Sequence, residues 1–191
     1  MLNLMIDIET LSTAKNAAIV SIGAVFFNIE TGELGRHFYQ LVSQKSCVDL
    51  GLDVNEETLA WWEKQDDEVR IALNSNNSVH LAVALYNFTN FINSECDDKA
   101  VVWGNGPSFD CAILATAFNA VDMKLPWRYS NERCVRTMVD LGRKLLKQDP
   151  KHEPMVGTAH NALADAEHQA KYVSKIYQGL VGFGAWAEVV A

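Results

Sequence analysis

The first 42 residues decide most of what this chain can become. Three runs follow one another there, LNLMIDIE (Leu2 to Glu9), AIVSIGAVFFN (Ala18 to Asn28) and GRHFYQLV (Gly35 to Val42), rich in branched and aromatic residues. The links between them are short and polar, and one is the turn-like Glu30-Thr31-Gly32. A parallel return needs a crossover of about a dozen residues or more, so strands joined this closely read as an antiparallel meander.

The period then changes. Asn55 to Lys64, Asp66 to Leu73 and Ser78 to Asn93 have helical spacing, the last with Ser78 as a cap and Val79, Ala82, Val83, Tyr86 and Asn90 near one stripe. Lys99 to Trp103 reads as a short strand closed by Gly104-Asn105-Gly106-Pro107. A helix is expected from near Ser108, then a strand, then a helix over Val135 to Lys147. Ala162 to Tyr177 is strongly helical, with Ala162, Ala166, Ala170 and Val173 spaced for close packing. The order predicts an α/β fold: a mixed five-stranded sheet, an antiparallel meander followed by parallel strands, flanked by helices. At 191 residues the chain is read as a single domain, 1 to 191, with a helical insert around 53 to 95.

Composition matters at three points. No stretch of eighteen apolar residues occurs and no basic leader precedes the first apolar run, so no membrane partner is expected and a cytoplasmic location is. Cys47, Cys96, Cys111 and Cys134 form no Cys-x-x-Cys pair and read as reduced core thiols. The net charge is −8, yet Lys124 to Lys151 holds eight basic residues against three acidic ones. That segment is either a solvated helix face or a wall that tracks phosphates.

Sheets of this kind carry chemistry at the carboxyl ends of their strands. Asp7 and Glu9 sit there on β-strand alternation, side by side on one face, where their charges repel unless a cation or solvent offsets them. Alone, Asp-Ile-Glu fits a solvated strand end as well as a metal site. Further along, VVWGNGPSFD runs from a strand through a glycine turn to Asp110 in the first turn of a helix, where a carboxylate also suits the helix dipole. The turn lacks the third glycine of a dinucleotide fingerprint and reads as a place where backbone comes close to something. In HNALAD, His160 precedes the last helix and Asp165 lies in its first turns, which fits either a polar cap or a mobile imidazole over a fixed carboxylate. Together these are four carboxylates and a histidine from separated segments, the requirements of two-metal phosphodiester chemistry with magnesium or manganese.

The set DIET, NGPSFD and HNALAD, in that order, resembles the DEDDh branch of the DnaQ-like, RNase H-fold 3′–5′ exonucleases. The form WGNGPSFD and the helical insert with Trp61-Trp62 most resemble the bacteriophage exonuclease A and Rv2179c-type exoribonuclease group. The resemblance implies an RNase H-like sheet and two divalent cations, Mg2+ or Mn2+. It implies that Asp7 bridges both ions, that Glu9 and Asp165 hold the ion bearing the water, that Asp110 serves the other, and that His160 is the general base. A neutral imidazole suits that role near physiological pH. Thr10 and Leu11 stand where similar enzymes hold and wedge the terminal nucleotide, although Leu11 fits the core equally well. Asn105 has no literal counterpart in the proofreading form of the motif, and Phe109 is placed to stack on a base. Trp103 is expected in the core, and Trp61 and Trp62 at an interface or in the core.

The expected activity is removal of nucleotides from a 3′ end of DNA or RNA, single-stranded or overhanging, as 5′-monophosphates, with Arg128, Arg133 and Arg136 along the strand path. Similar small exonucleases are often homodimers. The alternatives are a hydrolase of mononucleotides or small phosphoesters, a non-catalytic nucleic-acid-binding module, and a zinc enzyme using His160, Asp165 and His168.

Overall fold

The computed structural model describes residues 2–65, 77–96 and 99–190, with the side chains of 183–190 left aside. The predicted helix from Asp66 to Leu73 lies outside the described residues. The meander forms as expected: β1 (Asn3–Thr10), β2 (Ile19–Phe27) and β3 (Leu34–Leu41), paired antiparallel. Two short parallel strands extend it, β4 (Val101–Gly104) beside β1 and β5 (Glu132–Cys134) beside β4, giving the order β3-β2-β1-β4-β5.

Helices cover both faces. Between β3 and β4 lie α1 (Gln44–Asp49), α2 (Glu56–Trp62) and α3 (Leu81–Cys96); α4 (Asp110–Ala120), α5 (Val135–Leu141) and α6 (Ala162–Val190) follow. One apolar layer joins Leu4, Ile6 and Ile8 of β1 to Phe88 and Ile92 of α3, Leu114 and Phe118 of α4, and Trp127. The other joins Met5, Val25, Phe27 and Trp103 to Val135 and Val139 of α5 and to Ala166, Ala170 and Val173 of α6. Trp103 is in the core as expected, its indole N–H donating to Asn3 Oδ1 at 3.0 Å. Cys47, Cys96 and Cys111 are buried, Cys134 is half-buried, and all are free thiols. Among the described residues no helix is long and apolar enough to cross a membrane.

Four sequence expectations are corrected. α3 begins at Leu81, where the free amides meet Ser46 Oγ (3.0 Å to Leu81 N) and His80 Nδ1 (3.2 Å to Ala82 N), so Ser78 is not its cap. Its buried stripe is Leu81, Leu85, Phe88 and Ile92, the larger apolar set at helical spacing, and this turns Val83 and Tyr86 outward. The helix over Val135 to Lys147 is α-helical only to Leu141; Gly142–Leu146 forms a π turn that ends at Lys147 in the left-handed region. Finally, α6 runs on past Tyr177. Gly179 marks a close approach there rather than a helix end, since a Cβ on it would come within 2.6 Å of Leu146 Cδ1.

Candidate active site

Alternation along β1 sends Ile6 and Ile8 into one layer and Met5 into the other, so Asp7 and Glu9 continue the Met5 face toward α6. Asp7 pairs with Gly23 and Glu9 with Ser21 on β2, and the register slips between Glu9 and Thr10. Irregularities of this kind re-aim side chains beside functional sites.

Gly23 lets the first turn of α6 rest on the sheet, since a Cβ there would lie 2.1 Å from the Ala162 carbonyl carbon. That turn is capped by Asn161, whose Oδ1 accepts from the Leu163 and Ala164 amides at 3.1 Å each. His160, just before the cap, is held at φ 64°, a region few non-glycine residues enter. Asp165 and Gln169, one turn apart on α6, both line a cleft with Asp7.

Asp110 opens α4 and is 3% exposed. The Gly104-Asn105-Gly106 turn does bring backbone close to something, and that something is the site's own charged side chains. A Cβ on Gly104 would sit 3.1 Å from Asp110 Oδ2, and one on Gly106, at φ 118°, would sit 3.1 Å from Arg136 Cζ.

Asp7, Glu9, Asp110, His160 and Asp165 therefore meet in one cleft of about 310 Å³, joined by Asn105, Phe109, Arg136 and Gln169. Ligand atoms of Glu9, His160 and Asp165 all lie within 4.8 Å of one another. Burial, with the charges of Asp165 and Asp110 adding to it, pushes the Glu9 carboxyl up to about 9. Burial also pushes Asp7 well above the carboxylate range, with Asp110, Glu9 and Asp165 adding, against a hydrogen bond from Gln169 Nε2 to its Oδ1 (2.8 Å). Asp110 is pushed up to about 7 by burial, opposed by the amides of Asp110, Ile8 and Asn105 and by the Arg136 guanidinium. Asp165 is raised by burial, opposed by His160 and His168. Crowded carboxylates of this kind are relieved by protons or cations, and an all-oxygen acidic set fits hard divalent ions.

A second cleft, of about 410 Å³, adjoins the first and shares Ile8, Glu9 and Phe109 with it; Thr10, Asn55, Thr58, Trp61 and Trp62 complete much of its wall. Trp62 is in the core, its indole N–H donating to the Thr10 carbonyl at 2.9 Å, whereas Trp61 is 42% exposed on the cleft wall. The sequence patterns assign both tryptophans to core or interface and do not single out Gln169. The available signals are the capped start of α2 at Asn55 and a glutamine four residues after Asp165.

The remaining expected contacts divide. Thr10 lines the second cleft, with its hydroxyl donating to the Ser12 carbonyl at 2.7 Å. Leu11, 3% exposed, belongs to the core and lines neither cleft, so the core alternative holds for it. Of the three arginines Arg136 alone lines either of these two clefts. Arg128 is exposed and outside both; Arg133 is exposed too, and its Nη1 donates to the carbonyls of Ser130 (3.1 Å) and Glu132 (2.9 Å). Within the basic segment Arg143 pairs with Asp149 and Lys144 with Asp140, at 2.7 Å each, so two of its eight basic residues are already matched by its own carboxylates. His168 approaches the Lys151 carbonyl (3.2 Å), lines neither cleft, and is not among the ligand atoms that Glu9, His160 and Asp165 bring together, although its charge reaches Asp165.

The mixed five-stranded sheet brings Asp7 and Glu9 of β1 together with Asp110 at the start of α4 and Asp165 of α6, and the class of protein is a 3′–5′ exonuclease. The chain belongs to the family of Rv2179c-like 3′-5′ exoribonuclease domains, whose model matches residues 2–177. It is 26% identical over 163 residues to an exodeoxyribonuclease of Enterobacteria phage T4, a match covering 73% of this chain and 71% of that one. Among solved structures it resembles the nuclease domain of 3′hExo, a DEDDh family member bound to rAMP, with a TM-score of 0.59 and 12% identity over 92% of this chain and 91% of that one. It also resembles exonuclease X in complex with 5′ overhanging duplex DNA, with a TM-score of 0.53 and 15% identity over 91% and 90% of the two chains. At such identities these two likenesses speak for the fold.

Proposed function

We propose that this exonuclease hydrolyses the last phosphodiester bond at the 3′ end of DNA or RNA and releases a nucleoside 5′-monophosphate, using two divalent cations, Mg2+ or Mn2+. The observation that carries the reading is the convergence of four carboxylates, all raised by burial and two of them, Asp7 and Glu9, also by their neighbours' charges, with His160 on one open cleft. Asp7, Glu9, Asp110 and Asp165 are the residues that would hold the ions. Bound there, such a pair activates water and stabilises the charge on the attacking and leaving oxygens.

The chain's own groups do the rest. His160, exposed beside Glu9 and Asp165, takes the proton of the attacking water at an imidazole nitrogen. Gln169 donates to one oxygen of Asp7 and so fixes the carboxylate's orientation. Arg136, exposed on the wall of the same cleft, would pair with the scissile phosphate. The second cleft receives the terminal nucleotide, with Phe109 shared by the two clefts and Thr10 on its wall. Relatives named for RNA and for DNA work support keeping both polymers as substrates.

The test is to incubate the protein with Mn2+ and, separately, end-labelled single strands of DNA and RNA, a mononucleotide and a small phosphodiester, and to identify products by mass. Release of 5′-monophosphates from the polymers far faster than any turnover of the small substrates supports the reading. Turnover of the small substrates alone, or 3′-monophosphate products, overturns it.

A further inference from the structure

The contact between Trp61 and His160 joins the two clefts. The imidazole stands almost perpendicular to the Trp61 indole (87°), with ring centroids 4.9 Å apart, and Trp62 stands behind at 6.4 Å and 83°. Trp62 is fixed, buried and bonded to the Thr10 carbonyl, and Trp61 leans edge-on against it at 4.9 Å. His160 itself projects from a left-handed backbone position ahead of Asn161, with an exposed side chain, so these indoles are what brace its ring. Trp61 has a second neighbour: it lines the adjoining cleft opposite Glu9 and Phe109.

We propose that Trp61 is a positioning residue that couples filling of the second cleft to the placement of the His160 imidazole. The inference rests on the reading of that cleft as the seat of the terminal nucleotide. A flat heteroaromatic base entering the cleft must meet the exposed indole, because Trp61 is 42% exposed and forms its wall. Whatever restrains that indole also restrains the imidazole packed against it, so an occupied cleft narrows the motion of the imidazole beside Glu9 and Asp165 that an empty one allows. Binding energy from a part of the substrate that does not react is thereby used at the reacting phosphate.

Two measurements separate this coupling from simple stacking. The first compares kcat and KM for oligonucleotides ending in an ordinary or an abasic 3′ nucleotide, in wild type, Trp61→Phe and Trp61→Ala. A positioned general base contributes roughly 10²–10⁴-fold, so loss of positioning is expected to lower kcat by about tenfold or more. The wild type should lose that kcat on the abasic end, Trp61→Ala should show the low kcat on both ends alike, and Trp61→Phe should recover most of it. A rise in KM with kcat unchanged on both substrates overturns the coupling and leaves Trp61 as a stacking platform.

The second measurement does not depend on turnover. The His160 ring-proton resonance, shifted by the indole ring current, should move in Trp61→Ala and should also move when the wild type binds adenosine 5′-monophosphate but not ribose 5-phosphate. An active nuclease whose His160 resonance ignores the nucleotide overturns the coupling. A protein without nuclease activity whose resonance still responds overturns the functional reading instead.

Discussion

Gly23→Ala is the substitution that best tests how the site is assembled. Glycine inside a strand is about 0.5–1 kcal/mol worse than alanine on intrinsic grounds, so if packing were indifferent the change would stabilise. Here the new Cβ would stand 2.1 Å from the Ala162 carbonyl carbon, 2.3 Å from Leu163 N and 2.4 Å from the Ala162 oxygen, all backbone atoms that no rotamer can move. Reaching ordinary contact at 3.4 Å requires the start of α6 to retreat by about 1.3 Å. Overpacking of this kind costs about 1–3 kcal/mol, which outweighs the intrinsic gain and lowers Tm by roughly 2–4 °C per kcal/mol in a chain of this size. The functional loss should be larger than the structural one. The retreating turn carries His160 and Asp165 away from Asp7 and Glu9, and a displacement of about 1 Å at reacting groups costs on the order of 10² in rate. Circular dichroism melting and exonuclease kcat with Mn2+ check the two effects separately. A variant as stable and as active as wild type would refute the account of how α6 is seated. Gly182→Ala is the control: it lies in α6, a Cβ added there would meet nothing within 4 Å, and the change should raise Tm slightly without touching activity.

Other consequences concern charge. Replacing Gln169 by Leu removes the hydrogen bond to Asp7 and should weaken Mn2+ binding in calorimetry by about 10–100-fold while the fold persists; unchanged affinity would remove Gln169 from the site. In the metal-free protein Glu9 and Asp110, at about 9 and about 7, keep protons that unfolded carboxyls near 4 have released. Their contribution to stability is therefore complete below about pH 4 and is lost as pH rises through 7 and 9, so urea midpoints in EDTA should fall from pH 5.5 to pH 8.5, and Glu9→Gln should flatten the fall. For the same reason Mg2+ binding at pH 7 should release protons, read as a dependence of the calorimetric heat on buffer ionisation. Arg136→Gln should weaken binding of a single strand and reduce its salt slope by about 0.7, whereas Arg133→Gln should leave the slope unchanged.

How legible all this was depends on the range of the interactions involved. β1 to β3 could be read from sequence because alternation, branched residues and short polar links act locally, and the five acid and histidine positions could be read because they fall in three compact motifs. What brings those motifs together could not be read locally. Gly23 looks like any strand glycine until α6 is laid across it, and Gly104 and Gly106 look like turn residues until Asp110 and Arg136 fill the space they leave. The α3 stripe was misjudged because Val83 and Tyr86 are apolar enough to compete with Leu85 and Phe88 in a pattern, and only the sheet beneath decides between them. The two readings of the basic segment stay open for a similar reason: charge counts do not reveal that Arg143 and Lys144 already have carboxylate partners while Arg136 lines the cleft. Trp61 and Gln169 gain their meaning from His160 and Asp7, which lie about a hundred residues or more away along the chain.

The central claim is that the cluster of Asp7, Glu9, Asp110 and Asp165 is a divalent-cation centre that cuts nucleic acid from its 3′ end. The most direct measurement is the time course of a 5′-labelled single strand with Mn2+, with EDTA, and with Mn2+ and Asp7→Asn. A ladder shortening one nucleotide at a time from the 3′ end, present only for wild type with Mn2+, is the predicted result. A ladder that persists in EDTA or in Asp7→Asn, or immediate cleavage at internal positions, would contradict it.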